Sequence, residues 1–445
     1  MARRLAVVGG NPAGMGAATQ AHRLDGSLEI VAFEKGDWTS YSACGIPYVV
    51  GGMVDDLDRL VVRTPQEHRD QSLIDVRIRH EVMGIDLDSR RLEVRDHAHS
   101  RTIQVPFDDL MLGLGARPIR PDLPGIDLPA VHGVQTLDDA SNLLYAARTS
   151  ECRNVVVVGG GYIGLELAEA FVARGARVTV VEAAAQVMGT LDADMALPVE
   201  SAMRGLGIDV RVGVPVTGFA DRIVQTEDGP ILADLVVLGL GVVPNSELAG
   251  DAGIELGVKN AVKVDRRQRT SADGVWAAGD CAESFHLVSR QPVYVALGTL
   301  ANRQARVAGI NLGGGYATFP GVLGTAITRV CSTEVGRTGL TEKEAETAGF
   351  EFVTSSVEST SASKYLPEAK PVRVKLLAEQ GTGRVIGAQI VGGQGAAKRV
   401  DVVATAITAG LDVQQLLDVD MGYAPPMSPL WDPVAVAARK ALSLL

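Results

Sequence analysis

Cys44 stands in the run Ser40-Tyr-Ser-Ala-Cys44-Gly-Ile-Pro47, a setting suited to sulfur chemistry. Proline is favoured in the first turn of a helix, so Pro47 predicts a helix there with Cys44 at its N-terminus. The positive end of a helix lowers a thiol pKa and makes a nucleophile. The competing reading is a buried structural cysteine, the commoner fate of a free thiol. Cys152, Cys281 and Cys331 have no comparable surroundings and read as structural. There is no CxxC pair, so neither a zinc site nor a disulfide framework is indicated. His68, His80, His97, His99, His132 and His286 show no ligand spacing, and no metal site is expected.

Two glycine turns could hold phosphates. Gly159-x-Gly161-x-x-Gly164 follows the apolar run VVVV and opens a helical pattern, with Glu182 at the end of the next strand. In such a turn the first glycine makes the bend and the second lets a pyrophosphate approach the helix N-terminus. The third lets helix and strand pack closely. Glu182 is expected to accept a hydrogen bond from an adenosine ribose hydroxyl. Ala183-Ala184-Ala185-Gln186 offers no basic side chain to a 2′-phosphate, which favours NADH over NADPH. The first turn is imperfect, Gly9-x-Asn11-Pro12-Ala13-Gly14, with Glu34 ending its second strand, LEIVAFEK. Asparagine tolerates left-handed backbone, so this turn is expected to survive and to bind a second nucleotide.

Larger elements must position these turns, and the chain repeats them. LAVVGGNPAG at 5–14 resembles VVVVGGGYIG at 155–164, and LGLGARP at 112–118 resembles LGLGVVP at 238–244. Two copies of one nucleotide-binding fold account for both pairs. After residue 250 the order changes. TSADGVWAAGDCAE at 270–283 reads as a short strand closing on Gly279-Asp280, and 297–314 as a helix. From about 320, strands alternate with helices in an α+β unit. The 445 residues suit two to four domains. A net charge of −11 disfavours nucleic acid as a partner. No apolar run approaches the roughly 20 residues of a membrane span. The N-terminal apolar run breaks at Gly9-Gly10, too early for a signal peptide. A cytoplasmic protein is expected, since lone thiols survive in a reducing compartment.

Together, Ser40-x-x-x-Cys44-Gly-Ile-Pro-Tyr, the two glycine turns, Gly279-Asp280 and Tyr423-Ala-Pro-Pro resemble the flavoprotein pyridine nucleotide-disulfide oxidoreductases along the whole chain. The chain is most similar to the single-cysteine branch of coenzyme A disulfide reductases, NADH oxidases and NADH peroxidases. The resemblance implies an α/β protein with two Rossmann-like domains, for FAD (1–119 and 250–320) and NAD (120–249). A C-terminal α+β dimerisation domain (321–445) completes it. It places FAD against Gly9, Asn11, Pro12, Ala13, Gly14, Ser40 and Gly115. Glu34 and Lys35 flank the adenosine, Val82 lines the adenine and Asp280 holds the ribityl chain, while Leu297-Gly298-Thr299 approaches the ring. Besides Gly159, Gly161, Ile163, Gly164 and Glu182, the NAD side has Tyr162 gating the nicotinamide pocket and Glu166 holding its amide. Tyr365 and Tyr423 attend the leaving thiolate, Tyr423 entering from the partner of a homodimer. Gln20, Arg23, Lys398 and Arg399 meet a phosphorylated thiol such as coenzyme A, which Cys44 can carry as a mixed disulfide. Taken without the resemblance, Arg23 and Lys398-Arg399 read as solvated surface charge.

The chain departs from its branch in three places. The oxidases and peroxidases have a histidine in the first glycine turn, where this chain has Pro12. Met427 replaces the second tyrosine of the usual YAPPY, and Leu366 follows Tyr365 where paired tyrosines are usual. The expected activity is reduction of a small-thiol disulfide or persulfide by NADH through FAD and Cys44. One alternative is an NADH oxidase working through a Cys44 sulfenate, and another is a non-enzymatic flavoprotein that senses NADH. A membrane-bound quinone reductase needs a longer amphipathic anchor than VAVAARKALSLL.

Overall fold

The computed structural model of the protein describes residues 2–149 and 152–445. Two five-stranded parallel sheets repeat one plan. The first runs Ile74–Arg77, Glu29–Phe33, Arg4–Val8, Asp109–Leu112, Val275–Ala277. The second runs Asp209–Val212, Arg177–Glu182, Asn154–Val158, Leu235–Leu238, Val131–Gly133. Helices cover parallel sheets on both faces, so their central strands are apolar throughout. Arg4–Val8 and Asn154–Val158 accordingly share one burial pattern, open only at the first residue. Each fold also carries a three-stranded antiparallel meander, which precedes Asp109–Leu112 in the first and Leu235–Leu238 in the second. The first sheet is closed by a strand from far along the chain, Val275–Ala277, which brings Gly279-Asp280 to the first glycine turn.

The repeated LGLG segments have a steric cause. Gly9 and Gly159 take φ of +108° and +106°, a region that side chains disfavour. A Cβ on Gly9 would lie 2.0 Å from the Gly113 carbonyl oxygen, and one on Gly159 would lie 2.5 Å from that of Gly239. Gly113 and Gly239 are the first glycines of the two LGLG runs, so each turn nests into the strand beside it.

Asn11 has φ −110° and ψ −171°, and Gly161 has φ −82° and ψ −178°. Both are extended, so the expectation of a left-handed asparagine is corrected. The position accepts any L-residue, which is why the imperfect turn keeps its shape.

The C-terminal unit is an antiparallel sheet in the order Ala326–Val330, Thr333–Gly339, Val385–Gly392, Pro371–Glu379, Phe352–Thr360. Helices Val400–Ala409 and Pro433–Leu442 pack on it through Val403, Val434 and Ala437. The helix Gly298–Leu312 packs on Pro12–Leu24 at small residues. A Cβ on Gly309 would meet the Ala17 carbonyl oxygen at 2.5 Å. Among the described residues no helix is long and apolar enough to cross a membrane, and no group of His, Cys, Asp and Glu could hold a metal ion.

Candidate active site

The helices Pro12–Leu24 and Tyr162–Ala173 start directly after the two glycine turns. Neither has a side-chain N-cap or an acidic residue in its first turn. By contrast, Pro65–Ser72, Glu342–Thr347 and Val413–Leu417 all open with capping boxes. A helix start left open in this way is a site for an anionic group. Both turns are braced identically from the next strand. Glu34 accepts from the Gly10 and Gly36 amides at 2.8 and 2.9 Å, and Glu182 from the Gly160 and Ala184 amides at 2.7 and 2.8 Å. Carboxylate oxygens have lone pairs to spare, so a ribose hydroxyl can be bound as well.

The end of the strand Val275–Ala277 reaches the first turn. A Cβ on Gly279 would lie 2.7 Å from that of Ala13 and 3.4 Å from that of Ala301. Three elements therefore converge beside Asp280. Its carboxylate is half-buried, has no hydrogen-bond partner among the described residues, and desolvation pushes its pKa up to about 6. A desolvated carboxylate without a donor is costly, and a polyol hydroxyl would supply the missing donor. The orphaned carboxylate and the open helix start fit FAD on the first fold; the second open turn and Glu182 fit a pyridine nucleotide on the second.

Cys44 lies in a 3-10 turn, Ala43–Gly45, before the short helix Ile46–Val50. The loop is tied to the first glycine turn: the Thr39 hydroxyl and Ser40 amide donate to the Gly10 carbonyl at 2.6 and 2.8 Å, and the Tyr41 amide donates to Asn11 Oδ1 at 3.3 Å. Ser40 takes φ +51°, and its hydroxyl lies 2.8 Å from Nε2 of His68. His68 is buried, and burial with Arg63 nearby lowers its pKa to about 4, so its ring is neutral at pH 7. Sequence reasoning missed Thr39, Tyr41 and His68. The Ser40-x-x-x-Cys44 run marked the loop, but nothing marked its distant partners.

Cys44 is exposed, whereas Cys281 is buried and Cys152 and Cys331 are half-buried. Burial pushes the Cys281 and Cys331 thiols up to about 11, with Asp280 adding at the first and Glu169 at the second. The expected lowering at Cys44 is corrected. Desolvation, then Glu166 and Asp280, raise its pKa above the ordinary value. Desolvation together with the two carboxylates outweighs the short helix Ile46–Val50, whose dipole is small. The helix Ile46–Val50 packs on Tyr162–Ala173 of the second fold while the loop before it is tied to the first glycine turn, so the thiol lies between the two folds.

This electrostatics predicts that FAD-stripped protein is alkylated at Cys44 by iodoacetamide about ten-fold faster per pH unit from pH 7 to 9, following the thiolate fraction. Glu166→Gln removes a negative neighbour and should speed alkylation at pH 7. A rate flat from pH 6 to 9 means that the thiolate is already formed, and the assignment fails.

On the NAD side, the Thr190 hydroxyl donates to the Tyr162 hydroxyl at 3.3 Å, and the Thr328 hydroxyl to Glu166 at 2.5 Å. Burial, then Glu169, raises the Glu166 pKa while the Thr328 bond lowers it. Val82 lies in the first meander, and Lys35, Gly298 and Thr299 are exposed near the first fold. Gly115 takes φ +67° with open space where a Cβ would be. Tyr365 and Tyr423 are exposed on segments joined by a 2.8 Å bond from the Ser363 amide to the Pro425 carbonyl. Among the described residues, no hydrogen bond or ion pair joins either tyrosine to the Cys44 loop. Arg399 is taken up within the C-terminal unit by Asp432 and by the carbonyls of Gly395, Ser361 and Met427. Lys398 pairs with Asp401. Gln20 packs near Gly309 and Arg23 is exposed.

Residues 3–305 match the model of the pyridine nucleotide-disulphide oxidoreductase family, and residues 325–433 match that family's dimerisation domain. The chain is 34% identical over 442 residues to an NAD(P)H sulfur oxidoreductase (CoA-dependent) of Pyrococcus furiosus, covering 98% of both. It is 33% identical to an NADH oxidase of Methanocaldococcus jannaschii, covering 99% of both. Its fold superposes on an NAD-dependent persulfide reductase from A. fulgidus with a TM-score of 0.96 at 36% identity, covering 99% of this chain and 83% of that one. The chain belongs to the pyridine nucleotide-disulfide oxidoreductase family and is an FAD-dependent oxidoreductase of that kind.

Proposed function

We propose that the protein uses NADH to reduce a small-thiol disulfide or persulfide, coenzyme A disulfide among them, through Cys44. One observation carries this reading: the only exposed thiol among the described cysteines lies where the two nucleotide folds meet, beside Asp280 of one and Glu166 of the other. The names of the sulfur and persulfide reductase relatives support it. The first glycine turn, Glu34, Ser40 and Asp280 would hold FAD; the second turn, Tyr162, Glu166 and Glu182 would hold the nicotinamide nucleotide. FAD, when bound, takes hydride from NADH and delivers two electrons to sulfur. Cys44, as thiolate, attacks one sulfur of R–S–S–R, forming the Cys44–S–S–R bond and releasing R–S⁻. Two electrons then break that mixed disulfide, freeing the second R–S⁻ and restoring the Cys44 thiolate. Two protons complete two R–SH, and Tyr423 would donate one.

The residues after Glu182 predict the coenzyme. NADH should bleach the visible flavin band at lower concentration than NADPH in rapid mixing. A clear NADPH preference contradicts the assignment. The structure adds that the Ala184 amide is engaged by Glu182 and that Ala184 has no side chain with which to meet a phosphate.

The protein is proposed to be a homodimer in the cytoplasm, with 1–119 and 250–320 binding FAD, 120–249 binding NADH and 321–445 forming the interface. Met427, Leu430 and Trp431 are 73%, 71% and 52% exposed on the C-terminal segment, an apolar surface that suits a partner subunit. Tyr423 lies on the same segment, which supports its entering the active site from the partner subunit. Light scattering at micromolar concentration should show a dimer, and a monomer there excludes Tyr423 acting in trans. A second reading, oxygen reduction through a Cys44 sulfenate, is favoured by the M. jannaschii NADH oxidase relative.

A further inference from the structure

The C-terminal sheet grips the second nucleotide fold through a row of buried polar side chains. Arg337, Gln389 and Lys375 are cross-strand neighbours on three adjacent strands. They are 9%, 1% and 4% exposed. Each takes a different residue of the segment 190–194. Arg337 donates to the Thr190 carbonyl at 3.1 Å. Gln389 accepts from the Asp192 amide at 2.7 Å and donates to its carboxylate at 2.6 Å. Lys375 donates to Asp194 at 2.6 Å, with Glu342 and Asp192 also in reach. Every second residue of the segment meets the next strand of the sheet, and neighbouring strands are about 4.8 Å apart. Buried polar groups cost free energy unless each is satisfied. Apart from Arg337 Nε, which has no partner, the row is met by the segment and its neighbours in this register, which favours this placement of the segment.

Thr190 is the residue whose hydroxyl reaches Tyr162. Two more bonds join the sheet directly to the same helix: Thr328 to Glu166, and the Cys331 amide to Glu169 at 2.8 Å. Positions 162, 166 and 169 lie on one helix face.

We infer that the C-terminal sheet positions the nicotinamide side of the site: the row Arg337–Gln389–Lys375 holds Thr190, and Thr190 holds the Tyr162 hydroxyl. Arg337, Gln389, Lys375 and Thr190 are positioning residues. The inference rests on the reading that Tyr162 borders the nicotinamide pocket.

The test is anaerobic rapid mixing of holoenzyme variants, with the two half-reactions measured separately. Thr190→Val removes the hydroxyl and leaves the carbonyl that Arg337 holds. It should raise the NADH concentration for half-maximal flavin reduction about five- to ten-fold, the size expected for a lost neutral hydrogen bond. Tyr162→Phe should do the same, and the double variant should be no worse than either single one. Arg337→Lys should act in the same direction. Reoxidation of dithionite-reduced protein by coenzyme A disulfide should stay at the wild-type rate in all of these. If Tyr162→Ala raises that NADH concentration while Thr190→Val is silent, or if Thr190→Val slows both half-reactions alike, the inference is overturned and the reading of Tyr162 stands. If Tyr162→Ala is itself silent, the reading of Tyr162 falls and the inference falls with it.

Discussion

Cys44→Ser should keep its flavin and its bleaching by NADH, yet lose disulfide turnover by at least about 10³-fold, the scale on which removing a nucleophile acts. The serine hydroxyl is nearly isosteric, so the 3-10 turn and the bonds from Thr39, Ser40 and Tyr41 to the first glycine turn are kept. None of those bonds uses the sulfur, and the cofactor-binding geometry should survive. What is lost is a thiolate able to form and break an S–S bond. The other three thiols are less accessible, Cys281 buried and Cys152 and Cys331 half-buried. The measurement is steady-state NADH oxidation with coenzyme A disulfide, alongside the flavin spectrum and an NADH titration. Turnover at the wild-type rate makes Cys44 structural and ends the proposed mechanism.

The second large effect is in the choice of acceptor. Under anaerobic conditions coenzyme A disulfide or polysulfide should be reduced at least about 10²-fold faster than hydrogen peroxide, the lower range of what general acid help contributes. Peroxide cleavage benefits from an acid for the departing oxygen. Pro12 occupies the first position of its helix and lacks even an N–H. Asn11 beside it is an amide, which can donate a hydrogen bond but not a proton, and its oxygen is engaged by the Tyr41 amide. His68 stays neutral with Nε2 on Ser40. A thiolate leaves without such help because its own pKa is low, and Cys44 attacked by peroxide is exposed to overoxidation. Offering the acceptors in parallel with an aerated control decides between the two readings of the function. If peroxide or oxygen turns over far faster than every sulfur acceptor, the reductase reading is wrong and the oxidase reading replaces it.

Two of the basic side chains proposed to meet a phosphorylated thiol have partners within the chain. Arg399 is engaged in holding together the segments that bear Tyr365 and Met427, and Lys398 is paired with Asp401. In the proposed site Arg23, exposed on the first helix, would meet the phosphorylated thiol.

The local chemistry was legible in the chain itself. A β-branched run, a glycine turn, a helix and an acid at the end of the next strand define each nucleotide fold, because every part of that signature acts on near neighbours. The repetition of the signature, and the strand before Gly279-Asp280, disclosed two folds and the element that closes the first. Tertiary structure decided whatever depends on residues far apart in the chain. It explained the LGLG runs as clearance for Gly9 and Gly159, and showed that Asn11 needs no special backbone. It also reversed the expected direction of the Cys44 pKa, because packing desolvates the thiol and brings Glu166 and Asp280 toward it from elements much later in the chain. The chain order of Arg337, Gln389 and Lys375 says nothing of their meeting Thr190, Asp192 and Asp194 as a row. Periodicity reports which face of an element is apolar; which polar groups meet across elements is set by how the elements pack, and that is where the charges and hydrogen bonds of this site are determined.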